Sequence, residues 1–191
     1  MDRVKGYYQW RNLPHFDYEG LLQMITYRLD DALPKETLNR FFSKNESNLK
    51  IRSAIETHLD NNHGSCILKI PIIANMVIGN WQHFDNQTYD LVAYVVMPNH
   101  VHILIKVYKN ISLKSIVHSW KSYTSNQFKI CLNQTDVQIP IIPHWQKDYW
   151  DRYIRDEDHL VSAINYIHSN PTKVGLCTKD EDWPYSSKFT N

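Results

Sequence analysis

No part of this chain stays apolar for long. A membrane-crossing helix needs about 18 or more consecutive apolar residues without charge, and the 191 residues contain no such run. The first residues, Met1-Asp2-Arg3-Val4-Lys5, lead into Gly-Tyr-Tyr-Gln-Trp rather than an apolar signal core. A soluble, cytoplasmic protein with no membrane partner is the expectation. Cysteine is scarce too. Cys66, Cys131 and Cys177 are odd in number and far apart, which excludes a disulfide framework and a paired-cysteine zinc knuckle. Reduced, structural thiols are expected. Internal repeats and low-complexity tracts are absent, and the length suits one domain over residues 1–191 with a real core. Acidic residues are missing from one long stretch. Between Asp90 and Asp136 there is none, while Lys106, Lys109, Lys114, Lys121 and Lys129 all fall there. The net charge of +1 says nothing about nucleic acid. The local asymmetry fits either a solvated helix face or a surface for an anionic substrate, and it surrounds a histidine pair that favours the second.

That pair lies in Asn99-His100-Val101-His102-Ile103, inside a strand-like apolar run from Tyr94 to Val107. Strand side chains alternate faces, so His100 and His102 emerge together while Val101 and Ile103 point into a core. Two imidazoles on one strand face make a bidentate metal site the leading reading. A structural pair, bonded across the sheet or packed under a loop, is the alternative.

Around this motif the pattern predicts a first strand at 21–29, bounded by Gly20 and by Asp30-Asp31 with Pro34. A polar, helix-compatible insertion follows at about 35–65. Pro71 starts a core helix over about 70–84, with Ile73, Met76, Val77, Trp81 and Phe84 at helical spacing. Residues 89–97 and 100–107 read as a hairpin broken by Pro98-Asn99. A long amphipathic helix begins near Ser112 as N-cap and carries Leu113, Ile116, Val117, Trp120, Thr124, Gln127 and Cys131 on one face. A loop at 133–143 leads to a fourth strand at 149–154, and Asp156 caps a last helix. The order strand, helix, strand, strand, helix, strand is the α+β, ferredoxin-like split βαβ architecture: a four-stranded antiparallel sheet with helices on one face, plus one further C-terminal helix.

On that last helix Leu160, Ile164 and Ile167 form the buried stripe. Tyr166 and Asn170, one turn apart, share a neighbouring face from which a phenol and an amide oxygen can both reach the histidine strand. Pro171 disfavours helical geometry at Asn170, so the helix is expected to end there. Two imidazoles and one amide oxygen leave positions open for water and phosphate oxygens, which suits Mg²⁺ or Mn²⁺ better than a closed zinc site. Such an ion acts as a Lewis acid on a phosphate.

Four blocks then fall in order: Met97-Pro98-Asn99-His100-Val101-His102-Ile103-Leu104-Ile105; Trp145-Gln146 with Tyr149-Trp150-Asp151 and Ile154-Arg155-Asp156; Tyr166-Ile167-His168-Ser169-Asn170-Pro171 with Gly175-Leu176; and Asp182-Trp183-Pro184-Tyr185-Ser186-Ser187. Together they resemble the REP-associated tyrosine transposases of the HUH superfamily of single-strand nucleases, over residues 20–187. The resemblance implies an enzyme that cuts single-stranded DNA at sites flanked by hairpins or palindromic repeats, leaving a 5′-phosphotyrosine link and a free 3′-OH. It implies His100 and His102 as metal ligands, Tyr166 as nucleophile and a divalent ion as cofactor. Related insertion-sequence transposases place an amide ligand one turn after the tyrosine, where Asn170 stands. Both monomers and homodimers occur among such proteins.

Tyr149, Tyr153 and Tyr123 are the rival nucleophiles, and spacing to Asn170 favours Tyr166. His168 sits on a different helix face and suits surface packing. Lys121, Arg152, Arg155 and Lys173 are candidate phosphate contacts. Trp145, Trp150 and Trp183 suit either base stacking or the core. A non-cleaving binder of structured DNA or RNA is the competing function. An amidohydrolase barrel, which also uses two histidines spaced by one residue, needs about 250 residues and is excluded by length.

Overall fold

Six apolar side chains alternating along two neighbouring strands build the centre of the molecule. The computed structural model describes residues 6–10, 13–18, 20–34, 36–39 and 48–189. The chain starts with a hairpin of β1 (Tyr7–Trp10) and β2 (Leu13–Phe16), which the sequence pattern did not reveal. Then come β3 (Leu22–Arg28), α1 (Asn48–Asp60), α2 (Pro71–His83), β4 (Tyr89–Val96) and β5 (His100–Val107). The chain continues through α3 (Leu113–Leu132), β6 (Trp150–Tyr153) and α4 (Glu157–Lys173). Of the insertion expected at 35–65, residues 48–60 are helix, while residues 35 and 40–47 lie outside the described residues.

The main sheet has the order β4-β5-β3-β6 with every neighbouring pair antiparallel, as a split βαβ arrangement requires. Ile25 and Tyr27 of β3 and Val101, Ile103, Ile105 and Val107 of β5 face α2 and α3. Met24 and Leu104, with Ala93 and Val95 of β4, face α4. The period-two argument therefore holds: His100 and His102 share the face of Leu104, under α4. The aromatic core is tied by its polar ends. Trp81 Nε1 donates to Tyr27 Oη (3.0 Å), Trp120 Nε1 to Tyr89 Oη (3.1 Å), and Tyr89 Oη to the Trp81 carbonyl (2.7 Å). Each such group would otherwise be buried without a partner, at a cost of about 1–3 kcal/mol.

Both sheet edges are covered. Beside β4, Val96 N donates to Tyr185 O (2.8 Å) and Ser187 N to Tyr94 O (3.0 Å). Trp183 Nε1 donates to Val96 O (2.9 Å). Beside β6, His15 and the Phe16 amide of β2 bond to the Asp151 carboxylate. Such cover removes the exposed ladder that invites edge-to-edge pairing.

Two expectations are corrected. Ser112 does occupy the N-cap of α3, but its hydroxyl makes no capping bond to the helix. Asp17 does that work: its carboxylate accepts from Leu113 N (3.1 Å) and from Ser112 Oγ (2.9 Å). The last helix does not stop at Asn170. It continues through Pro171 to Lys173, because the proline forfeits only one main-chain donor and its ring is buried.

Candidate active site

His100 and His102 are both 1% exposed and stand with their rings nearly perpendicular, 87° apart, at a centroid distance of 4.9 Å. Their Nε2 atoms face each other at 3.1 Å. The far side of each ring is held. Asn99 Oδ1 lies 2.7 Å from His100 Nδ1, and the amide cannot be flipped, because Asn99 Nδ2 donates to the carbonyls of His63 (3.0 Å) and Leu59 (3.3 Å). His100 must therefore carry its proton on Nδ1 and present a lone pair at Nε2. Thr26 Oγ1 lies 2.8 Å from His102 Nδ1; a hydroxyl both donates and accepts, so His102 carries its proton either on Nδ1, with a lone pair at Nε2, or on Nε2, donating to His100 Nε2. With the proton on Nδ1 of both rings, two lone pairs converge as ligation of one cation requires. Two nitrogens about 2.1 Å from one ion and at right angles to each other stand roughly 3.0 Å apart, so the observed separation fits a shared metal. Burial lowers the His100 pKa to about 4 and that of His102 well below its usual range, which keeps both rings neutral as ligands must be.

Tyr166 comes to this pair from α4. Its ring meets that of His102 nearly edge-on, with centroids 5.3 Å apart and planes at 82°. Burial pushes the phenol pKa up and the Glu56 carboxylate adds to the rise, while Arg52 and a hydrogen bond from Asn170 oppose it. Asn170 is 1% exposed and its Nδ2 donates to the Tyr166 carbonyl (2.7 Å), leaving Oδ1 buried with no hydrogen bond among the described residues. A buried amide oxygen without a partner fits a metal ligand. No group of three or more His, Cys, Asp or Glu that could hold a metal occurs among the described residues, so a third protein ligand, were a metal bound here, would be of another residue type.

Beside Tyr166 opens a cleft of about 350 Å³ lined by Arg52, Glu56, Arg152, His159 and Ser162. Sequence reading found Arg152 there and missed the others. Arg52 and Glu56 belong to the insertion, whose apolar helix stripe of Ile51, Ile55 and Leu59 anchors it to the core but marks none of its polar residues as part of a site. Its helix α1 is nevertheless part of the wall: Leu59 and His63 hold Asn99, and Asp60 pairs with Lys173 (2.8 Å). Arg28 was also missed. It stands opposite His100 in the β3–β5 register, 7% exposed, with Nη1 donating to Leu29 O (3.0 Å).

The remaining sequence candidates are scattered. Arg155 is exposed and close enough to Arg152 to depress its pKa. Lys173 is engaged by Asp60. Lys121 does not reach the histidine pair. It lies on α3, across the sheet, where it donates to the carbonyls of Lys147 (3.0 Å) and Asp148 (3.2 Å) and lines a separate 530 Å³ cavity with Lys114, His118 and Lys147. The acid-free stretch therefore spans both faces rather than surrounding the histidines. Among the rival tyrosines, Tyr149 is buried against His15, and Tyr123 and Tyr153 are exposed on other surfaces. His168 bonds Ser187 Oγ (2.9 Å) in a packing role. Trp145 is buried, and Trp150 and Trp183 are half-buried. Cys66 and Cys131 are buried thiols and Cys177 is half-buried, all three free. No helix among the described residues is long and apolar enough to cross a membrane.

The sheet order and the position of the last helix define a class of fold, a split βαβ core with one further C-terminal helix. Residues 80–170, from the end of α2 to Asn170, match the family described as "Transposase IS200 like". That match covers a little under half of the chain, and the chain is also similar to REP-associated tyrosine transposases. It is 29% identical over 110 residues to a putative REP-associated tyrosine transposase of Haemophilus influenzae, an alignment covering 56% of this chain and 62% of that protein. It is 24% identical over 102 residues to a REP-associated tyrosine transposase of Escherichia coli, covering 53% and 56% respectively. The chain thus spans less than two thirds of either relative's length. The solved structure of a REP-associated tyrosine transposase bound to a REP hairpin superimposes with a TM-score of 0.54 at 18% identity, over 94% of this chain and 82% of that one, and shows a shared fold.

Proposed function

We propose that the chain is a divalent-metal-dependent, single-tyrosine endonuclease and strand transferase that acts on single-stranded DNA at palindromic, hairpin-forming repeats. The observation that carries this reading is Tyr166, placed edge-on to His102 at 5.3 Å, beside a pair of imidazoles whose Nε2 atoms face each other at 3.1 Å. His100, His102 and Asn170 would hold Mg²⁺ or Mn²⁺, which supplies Lewis acidity to a phosphate oxygen.

The chain's own residues do the rest. The Tyr166 phenol oxygen attacks phosphorus and loses its proton. The bond from phosphorus to the 3′ oxygen breaks, and that oxygen leaves as a 3′-OH after taking up a proton. The product is a 5′-phosphotyrosine that keeps the energy of the broken diester, so a later attack by a 3′-OH reseals DNA and returns the phenol. Deprotonating an ordinary tyrosine at pH 7 costs about 4 kcal/mol. Burial and Glu56 raise that cost here, and the positive charge of Arg52 offsets part of it.

The test separates cleavage from binding. With oligonucleotides spanning the palindromes that flank the gene, wild type plus Mn²⁺ gives a denaturant-resistant protein–DNA adduct. EDTA and His100→Ala each abolish the adduct while leaving hairpin affinity within a few-fold. An adduct insensitive to EDTA and to His100→Ala would exclude the metal-dependent reading, and tight binding without any adduct would make the chain a non-cleaving binder.

A further inference from the structure

The cleft beside Tyr166 holds groups that attack on phosphorus does not use. Arg52 is held by Glu56, with Nε 2.9 Å from Oε1 in an i, i+4 pair. Its terminal nitrogens make no hydrogen bond among the described residues and line the cleft. Arg152 enters from β6. It stands opposite Met24, on the same sheet face as His100 and His102. His159 enters from the first turn of α4 and is 9% exposed. Its Nδ1 accepts from the Arg155 amide (3.2 Å), which places the ring proton on Nε2, and Nε2 is buried without a hydrogen-bond partner among the described residues. A buried N–H donor and two guanidiniums thus border one space, with Glu56 as the only carboxylate on its wall among the described residues. Burial first, then the charges of Arg52 and Arg155, depress the Arg152 pKa, so these cations crowd each other. Crowded cations around an orphaned donor define a site for an anion.

We propose that Arg52, Arg152 and the Nε2–H of His159 form a phosphate pocket that seats one backbone phosphodiester of the single-stranded substrate, adjacent to the diester that Tyr166 attacks. The pocket rests on the function proposed above for the identity of its ligand. Arg52 and His159 then act as positioning residues: they fix the register of the strand, so that one diester in the chain lies against the phenol. Nothing forms or breaks covalently in the pocket. The insertion helix α1 acquires a task, since Arg52 delivers a guanidinium that the sheet itself does not supply.

Binding without cleavage tests this. The probe is a fluorescent single-stranded oligonucleotide spanning one flanking palindrome, titrated in EDTA at several salt concentrations. Arg52→Ala should weaken binding about ten-fold and lower the slope of log affinity against log salt by roughly 0.7, the value for one phosphate contact on a single strand. Arg52→Lys should keep the slope and lose part of the affinity. His159→Phe should weaken binding several-fold, and His159→Gln, which retains a donor, should recover part of it. In a scan of single methylphosphonates along the probe, one position should weaken wild type but have no added effect on Arg52→Ala. Wild-type affinity and salt slope in both Arg52→Ala and His159→Phe, or additive methylphosphonate effects at every position, would overturn the pocket. Adduct formation by wild type separates the two levels. Those binding effects without an adduct refute the tyrosine chemistry and leave the pocket standing, whereas an adduct with unchanged Arg52→Ala binding refutes the pocket alone. If Arg52→Ala unfolds, Arg52→Gln replaces it, keeping a hydrogen bond to Glu56 without the charge.

Discussion

Replacing Asn99 by alanine removes a side chain that joins the histidine pair to the insertion. Asn99 is fully buried and makes three hydrogen bonds: one accepted from His100 Nδ1 at 2.7 Å, and two donated, to His63 O at 3.0 Å and Leu59 O at 3.3 Å. Asn99→Ala strands an imidazole N–H and leaves the His63 carbonyl with only the weak Cys66 Sγ donor (3.7 Å), while the Leu59 carbonyl keeps the Asn62 amide (3.0 Å). Each unsatisfied buried group costs about 1–3 kcal/mol. Water entering the small cavity recovers some of this, which leaves a loss of roughly 2 kcal/mol. The imidazole also loses the acceptor that sets its tautomer, and removing such an outer partner lowers metal affinity about 10- to 100-fold. Two assays read these effects separately: urea unfolding in EDTA for stability, and calorimetric titration with Mn²⁺ for the site. Unchanged Mn²⁺ affinity in a folded Asn99→Ala protein would refute the argument that Asn99 orients a metal-binding His100.

Gly64 lies next to His63 with φ of +88°, and a Cβ there would sit 2.7 Å from the Asp31 carbonyl oxygen. Gly64→Ala should lower stability by roughly 2 kcal/mol or more in chemical unfolding, from left-handed strain plus the clash. His15 gives a pH dependence. Burial alone would lower its pKa, but hydrogen bonds and charge from Asp148 and Asp151 outweigh burial and raise it to about 9. Its side chain is 1% exposed, so screening is slight. Because the folded value exceeds the unfolded one, the stabilisation is fully present below about pH 6.5 and is lost as pH rises through about 9, a change of about 3 kcal/mol. Urea midpoints should fall over that window in wild type and change much less in His15→Gln.

The parts of the site that were legible in the sequence are those set by local periodicity. The strand period of two placed His100 and His102 on one face, and the helix period placed Tyr166 and Asn170 one turn apart, so both pairs could be read without knowing the sheet. What stayed hidden depends on residues distant in sequence. Asp17 caps α3 from 95 residues away, and no local signal distinguishes that carboxylate from any other. Arg52, Glu56 and His159 read as ordinary polar helix residues, and only the placement of α1 against α4 turns them inward. The lysines misled in the other direction. They are contiguous in sequence, but the sheet separates the α3 surface from the histidine face, so Lys121 ends across the molecule from Tyr166. The block 182–187 was recognisable as a motif, yet its task of covering the β4 edge follows from topology alone.

The most direct measurement is adduct formation by wild type and Tyr166→Phe, side by side with Mn²⁺, on single strands spanning the flanking palindromes, followed by peptide mapping of the attached nucleotide. The account predicts a wild-type adduct carried on Tyr166 through a 5′-phosphate, and none for Tyr166→Phe despite intact folding and DNA binding. An undiminished adduct in Tyr166→Phe, or attachment at Tyr123, Tyr149 or Tyr153, would contradict it.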